Sequence, residues 1–491
     1  MTQTDSASLL LADSPVNTYA AHSIGHGVKQ VARLAFPNMA SFVVSYITTV
    51  TTALSISALN DSEMLASVGL GNLVGNLLGF SIGVGLMSVL DTLIAQAAGA
   101  RNLRLATRHL ARGRIVGLLI SVPCIVAMLS SDELLRLAGQ DPATCYYSHL
   151  FVSWSSIGIV PFFMFTADAS FLRAYHINNP TLVVNALSAV IQGVVCIILV
   201  NYLGLGLMGA GLSLSISNWS KWIFLQLYLW KSSANKEVSD ALSFHNFFDL
   251  LWQELTIGSE AGESVMVGIA KFVGIAIPSA GLIWSEWWSY ELQAIIAGWL
   301  GTEALAAHVV CCNVETIMYM FPLGVQQASS VLVGNSLGAG KPRKATQYAK
   351  ICTCLGALLV LTIASLVFSF RESIASIYTR DPLVVTKLHS ALGIVAAFHT
   401  LNGLSCVLEG VLRGMRLQEK AVNAKVAVMV VFQLPLCYIM SRGLGLNGLW
   451  YASCIAFVVS NSFYVSVILR ADFTECAFVA MKESAENFLL A

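Results

Sequence analysis

The chain has 491 residues, of which 56% are hydrophobic and only 11% are charged. Soluble domains carry about 25% charged residues, so this chain has too little charge to cover a soluble surface of its size. Its 27 basic and 27 acidic residues give a formal net charge of zero, so composition gives no reason to expect a nucleic-acid partner and indicates a polytopic membrane protein.

Twelve apolar runs are long enough to cross a bilayer as helices. A hydrocarbon core about 30 Å thick needs roughly 20 apolar residues per helix, and these runs are too long for transmembrane strands. The predicted fold class is therefore an all-α polytopic membrane protein with twelve transmembrane helices. In chain order the runs lie at 31–57, 65–98, 110–131, 146–172, 181–202, 208–230, 268–300, 304–337, 348–370, 384–413, 422–441 and 448–470.

Lys and Arg residues predict the orientation of these helices, because short cytoplasmic loops are enriched in them. With both termini in the cytoplasm, the outer loops and flanks hold only Arg136, Arg371, Arg380, Lys387 and Arg442. All other Lys and Arg residues, Lys425 among them, are then assigned to the inner loops and flanks. The asymmetry favours cytoplasmic termini.

The two halves of the chain are repeats of each other. A shift of 239 residues places "LGLGLMG" (203–209) on "RGLGLNG" (442–448), and Gly99 on Gly338. Because each half has an even number of spans, both copies enter the membrane in the same orientation. The sequence therefore predicts two pseudo-symmetric six-helix lobes around a cavity, which is the architecture of an alternating-access carrier.

Two acidic residues stand out in the first half. Asp91 lies near the inner end of helix two, where Arg101 or the neighbouring loops could offset its charge. Its counterpart in the second half is Ser330, so the fold does not require an acid at this position. We therefore predict a structural or gating role for Asp91. Asp168, five residues before Arg173, receives the same interpretation.

One long polar stretch separates the halves and predicts a linker. Within it, six apolar residues follow helical spacing and predict a short amphipathic helix at the inner interface; they are Phe244, Phe247, Phe248, Leu251, Trp252 and Leu255. The predicted domains are a cytoplasmic N-terminal tail (1–27), a first lobe (28–231), the cytoplasmic linker (232–267), a second lobe (268–470) and a cytoplasmic C-terminal tail (471–491).

The seventh span carries two acidic side chains, Glu286 and Glu291, within "WSEWWSYEL" (284–292). An ionisable side chain at membrane depth costs at least ~2.5–3.5 kcal/mol, so both are functional candidates. Five residues turn a regular helix by about 140°, so both carboxylates can face the same way only if the helix bends or unwinds. Pro278 and Gly281 offer a place for such a break. Otherwise one glutamate faces the cavity and the other packs against helices.

Helices eight and ten each carry a polar face. We interpret both faces as cavity lining rather than metal sites, because the ligand sets are incomplete. Trp288 and Tyr290 are candidates for holding a flat organic cation, and packing or interface roles are equally compatible with them. The two faces are His308, Cys311, Cys312, Glu315 and Tyr319 on helix eight, and His399, Asn402, Cys406 and Glu409 on helix ten.

Five motifs together resemble one family of transporters. They are "GLMSVLDTLIAQAAGARN" (85–102), "EWWSYE" (286–291), "YMFPLG" (319–324), "GVQQASSVLVGNSLGAGK" (324–341) and "GVLRG" (410–414). They look like the eukaryotic branch of the multidrug and toxic compound extrusion (MATE) family, and the resemblance covers roughly residues 28–470.

The resemblance implies a twelve-helix, two-lobe exporter that exchanges organic solutes for an ion, which is a proton in most eukaryotic members. Glu286 and Glu291 fall on family positions for substrate and proton handling, and Asp91 falls on an acidic position of helix two. On helix eight, animal members have a glutamate at the position of Asn313, where plant members tend to have asparagine. On helix ten, an acid is usual at the position of Asn402.

The sequence therefore predicts a secondary active exporter of organic cations, xenobiotics or related amphipathic metabolites, coupled to inward proton movement by alternating access. The alternatives are a lipid-linked precursor flippase and an organic-anion exporter, for example of carboxylates or flavonoids. A flippase needs a basic cavity, and we expect no arginine at midplane depth. The predicted proton- and substrate-binding residues are Glu286, Glu291, Glu315, Asn313, Asn402, Glu409, Tyr290 and Trp288, with Asp91 as a gating or structural acid.

No enzyme is predicted, because neither a zinc HExxH motif nor a serine elbow is present. We expect no metal site and no cofactor; the driving ion is a proton, with sodium as the alternative. The expected partners are the lipid bilayer and a small organic solute, and the chain is expected to act as a monomer. Its predicted location is the plasma membrane or a vacuolar or other endomembrane.

Overall fold

The computed structural model describes residues 24–59, 61–137, 139–231, 236–242, 265–378 and 382–489. Thirteen long helices occupy most of these residues, and the short helices Ser131–Leu137, Lys236–Leu242 and Arg371–Tyr378 lie between them. The long helices are α1 (Ile24–Ser57), α2 (Ser67–Gly99), α3 (Leu103–Leu129), α4 (Pro142–Ser156 and Ile159–Ala174), α5 (Asn179–Tyr202), α6 (Gly206–Lys231), α7 (Val265–Trp299), α8 (Thr302–Gly338), α9 (Pro342–Ser369), α10 (Pro382–Gly414), α11 (Gln418–Leu444), α12 (Leu446–Arg470) and α13 (Phe473–Leu489).

Most of these helices have the length and hydropathy of membrane spans. Among the described residues, 10 helices qualify individually, and the two parts of α4, which meet at a bend of 51°, make an eleventh span if they count as one. The 26 residues of α6 are long enough but more polar. Ser213, Ser215, Ser217 and Asn218 are buried, so these polar side chains do not face lipid. The all-helical membrane architecture predicted from the sequence is confirmed.

The two halves also repeat each other in backbone geometry. Each half has residues with positive φ at its helix junctions, including non-glycine residues that rarely adopt this conformation. They fall at positions related by the same shift of 239 or 240 residues. The pairs are Arg101 (φ 58°) with Gly340 (66°), His176 (63°) with Arg416 (60°), and Gly206 (51°) with Gly445 (59°).

The buried apolar clusters show that two helices are exchanged between the lobes. One cluster lies wholly within the first half and another within the second half. A third joins first-half helices to Phe272, Ala276 and Ala280 of α7. A fourth joins second-half helices to Val31 and Leu34 of α1. The first part of α1 therefore packs on the second lobe, and the first part of α7 packs on the first lobe.

The lobes touch backbone to backbone where α2 and α8 end, a contact that we call the glycine seam. A Cβ atom on Gly99 would lie 2.1 Å from the backbone oxygen of Asn335, and one on Gly338 would lie 1.9 Å from that of Gln96. These two contacts are equivalent by the repeat. Because such distances leave no space for a methyl group, both positions need glycine in this arrangement.

Polar side chains hold the glycine seam together. Gln96 donates its amide to the backbone oxygen of Gly414 at 3.1 Å, and Asn335 donates to that of Ala174 at 3.0 Å. Asn335 also lies 2.8 Å from Nε2 of His176, in the link between α4 and α5. Burial, together with the nearby Lys344 and Arg33, lowers the pKa of His176. The neutral imidazole can then accept the hydrogen bond from Asn335.

The segments outside the two lobes are partly described. The predicted amphipathic helix at 244–255 lies outside the described residues, as does most of the predicted N-terminal tail. The predicted C-terminal tail contains helix α13, whose buried Ala477 packs against α8 and α9. The predicted domain boundaries remain predictions.

Candidate functional site

A cavity of about 250 Å³, here called the acidic cavity, lies between α7, α8, α10 and α12, with α2 on one side. Three carboxylates line it, from Glu286, Glu291 and Glu315. Among the described residues, no Lys, Arg or His side chain lines it. The aromatic residues of its wall are Trp287, Trp288, Tyr290, Tyr319 and Trp450. Carboxylates and ring faces together make an environment suited to a positively charged organic group.

Both glutamates of α7 line the acidic cavity. The helix is not interrupted at Pro278, the place that the sequence offered for a break, because α7 is one helix from Val265 to Trp299 with this proline inside it. The expectation that an unbroken helix would turn only one glutamate to the cavity is wrong. The cavity is wide enough to reach around α7, from Asn76 of α2 to Trp450 of α12, so both Glu286 and Glu291 line it.

Glu286 forms a buried ion pair that the sequence did not predict. Nζ of Lys425 lies 2.5 Å from Oε2 of Glu286 and also contacts Oε1 of Glu409. Tyr464 donates its hydroxyl to Oε1 of Glu409 at 3.3 Å, and Nη2 of Arg413 lies 3.8 Å from Oε2 of the same carboxylate. One ammonium group is thus shared by two buried carboxylates. We call Lys425, Glu286 and Glu409 the lysine triad.

Lys425, which the charge count placed among the inner loops and flanks, lies inside the protein rather than at its surface. Its side chain is completely buried, because α11 begins at Gln418 and Lys425 lies two turns inside it. A signal was present in the sequence. Ala421 and Met429, four residues to either side on the same helix face, are both fully buried. A lysine between two such positions faces the interior rather than water.

A second polar cluster connects α8 with α10. Asn402 donates its amide to Oε1 of Glu315 at 2.9 Å and to the hydroxyl of Tyr290 at 3.1 Å. Nδ1 of His399 lies 3.2 Å from the same carboxylate oxygen. Oε2 of Glu315 is buried without a hydrogen-bond partner. The structure therefore brings Glu315, Asn402 and Tyr290 together as a unit, in which the neutral amide of α10 holds a carboxylate from α8.

Two of the predicted site residues lie elsewhere or only at the margin. Asn313 is exposed on α8 and lines neither cavity described here, because it faces away from the buried side that carries Glu315. Trp288 lines the acidic cavity but is 40% exposed, and its ring stacks on Trp284 with 5.8 Å between centroids. The structure thus gives Asn313 no place in the site.

A larger cavity of about 380 Å³, here called the central cavity, lies between the two lobes. It adjoins the acidic cavity, because both are lined by Glu286, Trp287, Tyr319, Met320 and Leu323. Its charged lining residues are Asp91, Glu286, Glu409, Arg173, Lys221 and Arg413. Two of these residues, Arg173 and Arg413, are arginines.

The acids of the first lobe pair with arginines in a way that sequence spacing did not indicate. Asp91 accepts from Nη2 of Arg173 at 2.9 Å, so Arg101 is not the partner that this structure gives it. Asp168 instead pairs with Arg114 at 2.6 Å and accepts from Trp222 and Gln226. Both carboxylates are thus neutralised locally, and only Asp91 lines the central cavity.

The His and Cys residues of α8 have no metal-site geometry. Sγ of Cys312 lies 3.5 Å from Nε2 of His308, and Cys312 lines the acidic cavity. Within the parts of the chain that the structure describes, no group of three or more His, Cys, Asp or Glu residues has an arrangement that could hold a metal ion.

This chain is similar in sequence to a family profile and to known proteins. The MatE family profile matches residues 37–198 and 278–439, once in each half. The chain is 27% identical over 460 residues to multidrug and toxin extrusion protein 1 of Danio rerio, covering 92% of this chain and 74% of that protein. It is 29% identical over 412 residues to the protein of the same name in Rattus norvegicus, covering 83% and 69%.

Solved structures confirm the predicted fold. The crystal structure of the eukaryotic MATE transporter AtDTX14 matches with a TM-score of 0.84 at 24% identity, covering 94% of this chain and 99% of that one. An outward-facing multidrug resistance MATE transporter of the MOP superfamily matches with a TM-score of 0.78 at 19% identity, covering 93% and 97%. The fold is therefore the twelve-helix, two-lobe arrangement expected from the sequence.

Proposed function

Since this chain belongs to the MatE family of membrane transporters, and is not an enzyme, we propose that it is a secondary active exporter of organic cations. Its substrates would be xenobiotics or related amphipathic metabolites, and inward proton movement would drive it by alternating access. The names of the curated relatives, multidrug and toxin extrusion proteins, support the direction of transport. The observation that carries the substrate class is the acidic cavity with its three carboxylates and its aromatic wall.

Glu291 is the carboxylate best placed to meet a cationic solute. It lines the acidic cavity and, among the described residues, forms no ion pair or hydrogen bond. Glu315 offers a second acceptor, since its Oε2 has no partner. A cation that sits against these groups and a ring face gains both ion-pair and cation–π energy in a site with little water.

Glu286 is the carboxylate best placed to couple the cation to a proton. It lines both cavities, shares Lys425 with Glu409, and keeps Oε1 without a hydrogen-bond partner. A proton on Glu286 would leave Lys425 to Glu409 alone and would remove negative charge from the cavity. A proton and a cationic solute would thus exclude each other, which is the requirement for exchange.

Transport in proteoliposomes tests this function. With an imposed pH gradient, the wild-type protein should drive efflux of tetraethylammonium. Glu291→Gln should weaken the apparent affinity about tenfold, because it removes one charged contact. Glu286→Gln should make the rate independent of the pH gradient. The control is Glu303→Gln, which alters an exposed surface pair with Lys387 and should change little.

Two results would contradict the proposal. If Glu286→Gln and Glu291→Gln both kept full gradient-driven transport, the coupling assignment would be wrong. If a sodium gradient drove the wild-type protein and a proton gradient did not, the coupling ion would be sodium. An organic-anion exporter is the alternative that the basic groups of the central cavity favour, and citrate efflux in the same vesicles would reveal it.

We also propose that both termini face the cytoplasm and that the protein works as a monomer in the plasma membrane or a vacuolar or other endomembrane. The distribution of Lys and Arg residues supports this orientation. In cells that carry the protein at their surface, a C-terminal tag should bind antibody only after permeabilisation. Labelling of intact cells would contradict the orientation, and a dimer mass by light scattering would contradict the monomer.

A further inference from the structure

The central cavity contains a buried amine that the proposed cation transport does not use. Lys221 of α6 is 8% exposed and lines this cavity. Among the described residues it forms no ion pair or hydrogen bond, and the nearby acid of the same lobe, Asp91, is paired with Arg173. A buried charge without a partner is costly, so Lys221 is a candidate for binding a group that arrives from outside the protein.

Unused hydrogen-bond donors line the same cavity. Nε and Nη2 of Arg413 are buried without a hydrogen-bond partner, and its distance of 3.8 Å from Glu409 is beyond hydrogen-bond range. Nδ2 of Asn38 and Oγ of Ser41 are likewise buried and unpartnered, and both residues line the central cavity. Folded proteins leave few such groups unsatisfied, and all four atoms named here can donate to an acceptor.

The unpaired charges of the two adjoining cavities have opposite signs. In the central cavity Asp91, Glu286 and Glu409 all have cationic partners, while Lys221 has no partner. In the acidic cavity the carboxylate of Glu291 has no partner among the described residues. A single solute that reached across the shared wall would therefore meet a negative group at one end and a positive group at the other.

We propose that the central cavity is a subsite for an anionic group, a carboxylate above all, so that the preferred solutes are zwitterions. The cationic end lies in the acidic cavity against Glu291, and the carboxylate accepts a hydrogen bond from Lys221. This inference rests on the proposed cation transport and adds a second binding group to it.

Two probes test the subsite, a carboxylate and its methyl ester, in which a methyl group removes the negative charge. They are (4-carboxybenzyl)trimethylammonium and its methyl ester, with affinities measured by calorimetry on the purified full-length protein. Lys221→Gln should weaken binding of the acid about tenfold, the loss expected for one charged hydrogen bond, and should leave binding of the ester unchanged. Lys221→Arg should keep the affinity for the acid. Lys231→Gln, an exposed lysine on the same helix, is the control.

The outcomes separate this inference from the proposed function. Unchanged binding of the ester by Lys221→Gln shows that the variant is folded. If Lys221→Gln weakens binding of the acid and of the ester equally, or weakens binding of neither, the proposed carboxylate subsite is wrong. The proposed cation binding is then unaffected. If the wild type binds the acid through Lys221 but not the ester, the subsite stands and the cation function is wrong. If neither probe binds, both are wrong.

Discussion

Replacing Lys425 by methionine is expected to lower the free energy of unfolding by about 3–5 kcal/mol, because the change leaves two buried carboxylates without their cation. Glu286 and Glu409 are 3% and 1% exposed, so water solvates them poorly once the ammonium group is gone. Arg413 is too far away, at 3.8 Å, to take its place without moving. Methionine has a similar length, so the effect reports the lost charge rather than a void.

Thermal unfolding of the purified protein in detergent measures this effect. The matched control is Lys420→Met, an exposed lysine on the same helix, which should unfold close to the wild-type temperature. Adding Glu286→Gln and Glu409→Gln to Lys425→Met should recover much of the lost stability, because the two carboxylate charges that Lys425 had neutralised are then gone. Wild-type stability of Lys425→Met alone would show that the lysine triad does not stabilise the folded state.

Replacing Gly338 by alanine is expected to slow transport about tenfold to a hundredfold. The added methyl group would lie 1.9 Å from the backbone oxygen of Gln96, so the glycine seam cannot close as it does here. Overpacking of this kind costs about 1–3 kcal/mol and shifts the population toward states in which the ends of α2 and α8 are apart. Gly99→Ala should act in the same way, since its contact with Asn335 is equivalent by the repeat.

Efflux rates in proteoliposomes and the distance between spin labels near the ends of α2 and α8 measure this effect. The matched control is Gly274→Ala on α7, where a Cβ atom meets nothing within 4 Å. There the alanine should leave transport intact and should favour the helix by about 0.5–1 kcal/mol. If Gly338→Ala transported at the wild-type rate with an unchanged label distance, the glycine seam would be shown to accommodate the methyl group without a free-energy cost.

The sequence predicted most features that depend on local composition. The length of the apolar runs predicted the membrane helices. The internal repeat predicted that Gly99 and Gly338 occupy equivalent positions. The acidic pair of α7 was recognised as a functional candidate because an unexplained charge in an apolar span is conspicuous, although the sequence did not show that both glutamates line the cavity. These are properties of one segment or of two segments compared, so one sequence is sufficient to see them.

Long-range pairing could not be read from the sequence in the same way. Asp91 and Arg173 are far apart in the chain, and spacing suggested Arg101 instead. The count of charges near span ends placed Lys425 on the inner side but gave no direction for its side chain, so the lysine triad was missed. Asn313 and Glu315 are two residues apart on one helix, and packing alone decides that Glu315 faces the site.

The exchange of α1 and α7 between the lobes has a consequence for how the protein is made. The first half emerges from the ribosome before Phe272, Ala276 and Ala280 exist, and these residues complete one of its apolar clusters. The nascent first lobe thus lacks these packing partners until α7 is inserted. In the same way, Val31 and Leu34 of α1 lack their packing partners until α8 is made. Each half thus lacks part of an apolar cluster that the other half completes, so assembly of the lobes depends on residues from both halves of the chain.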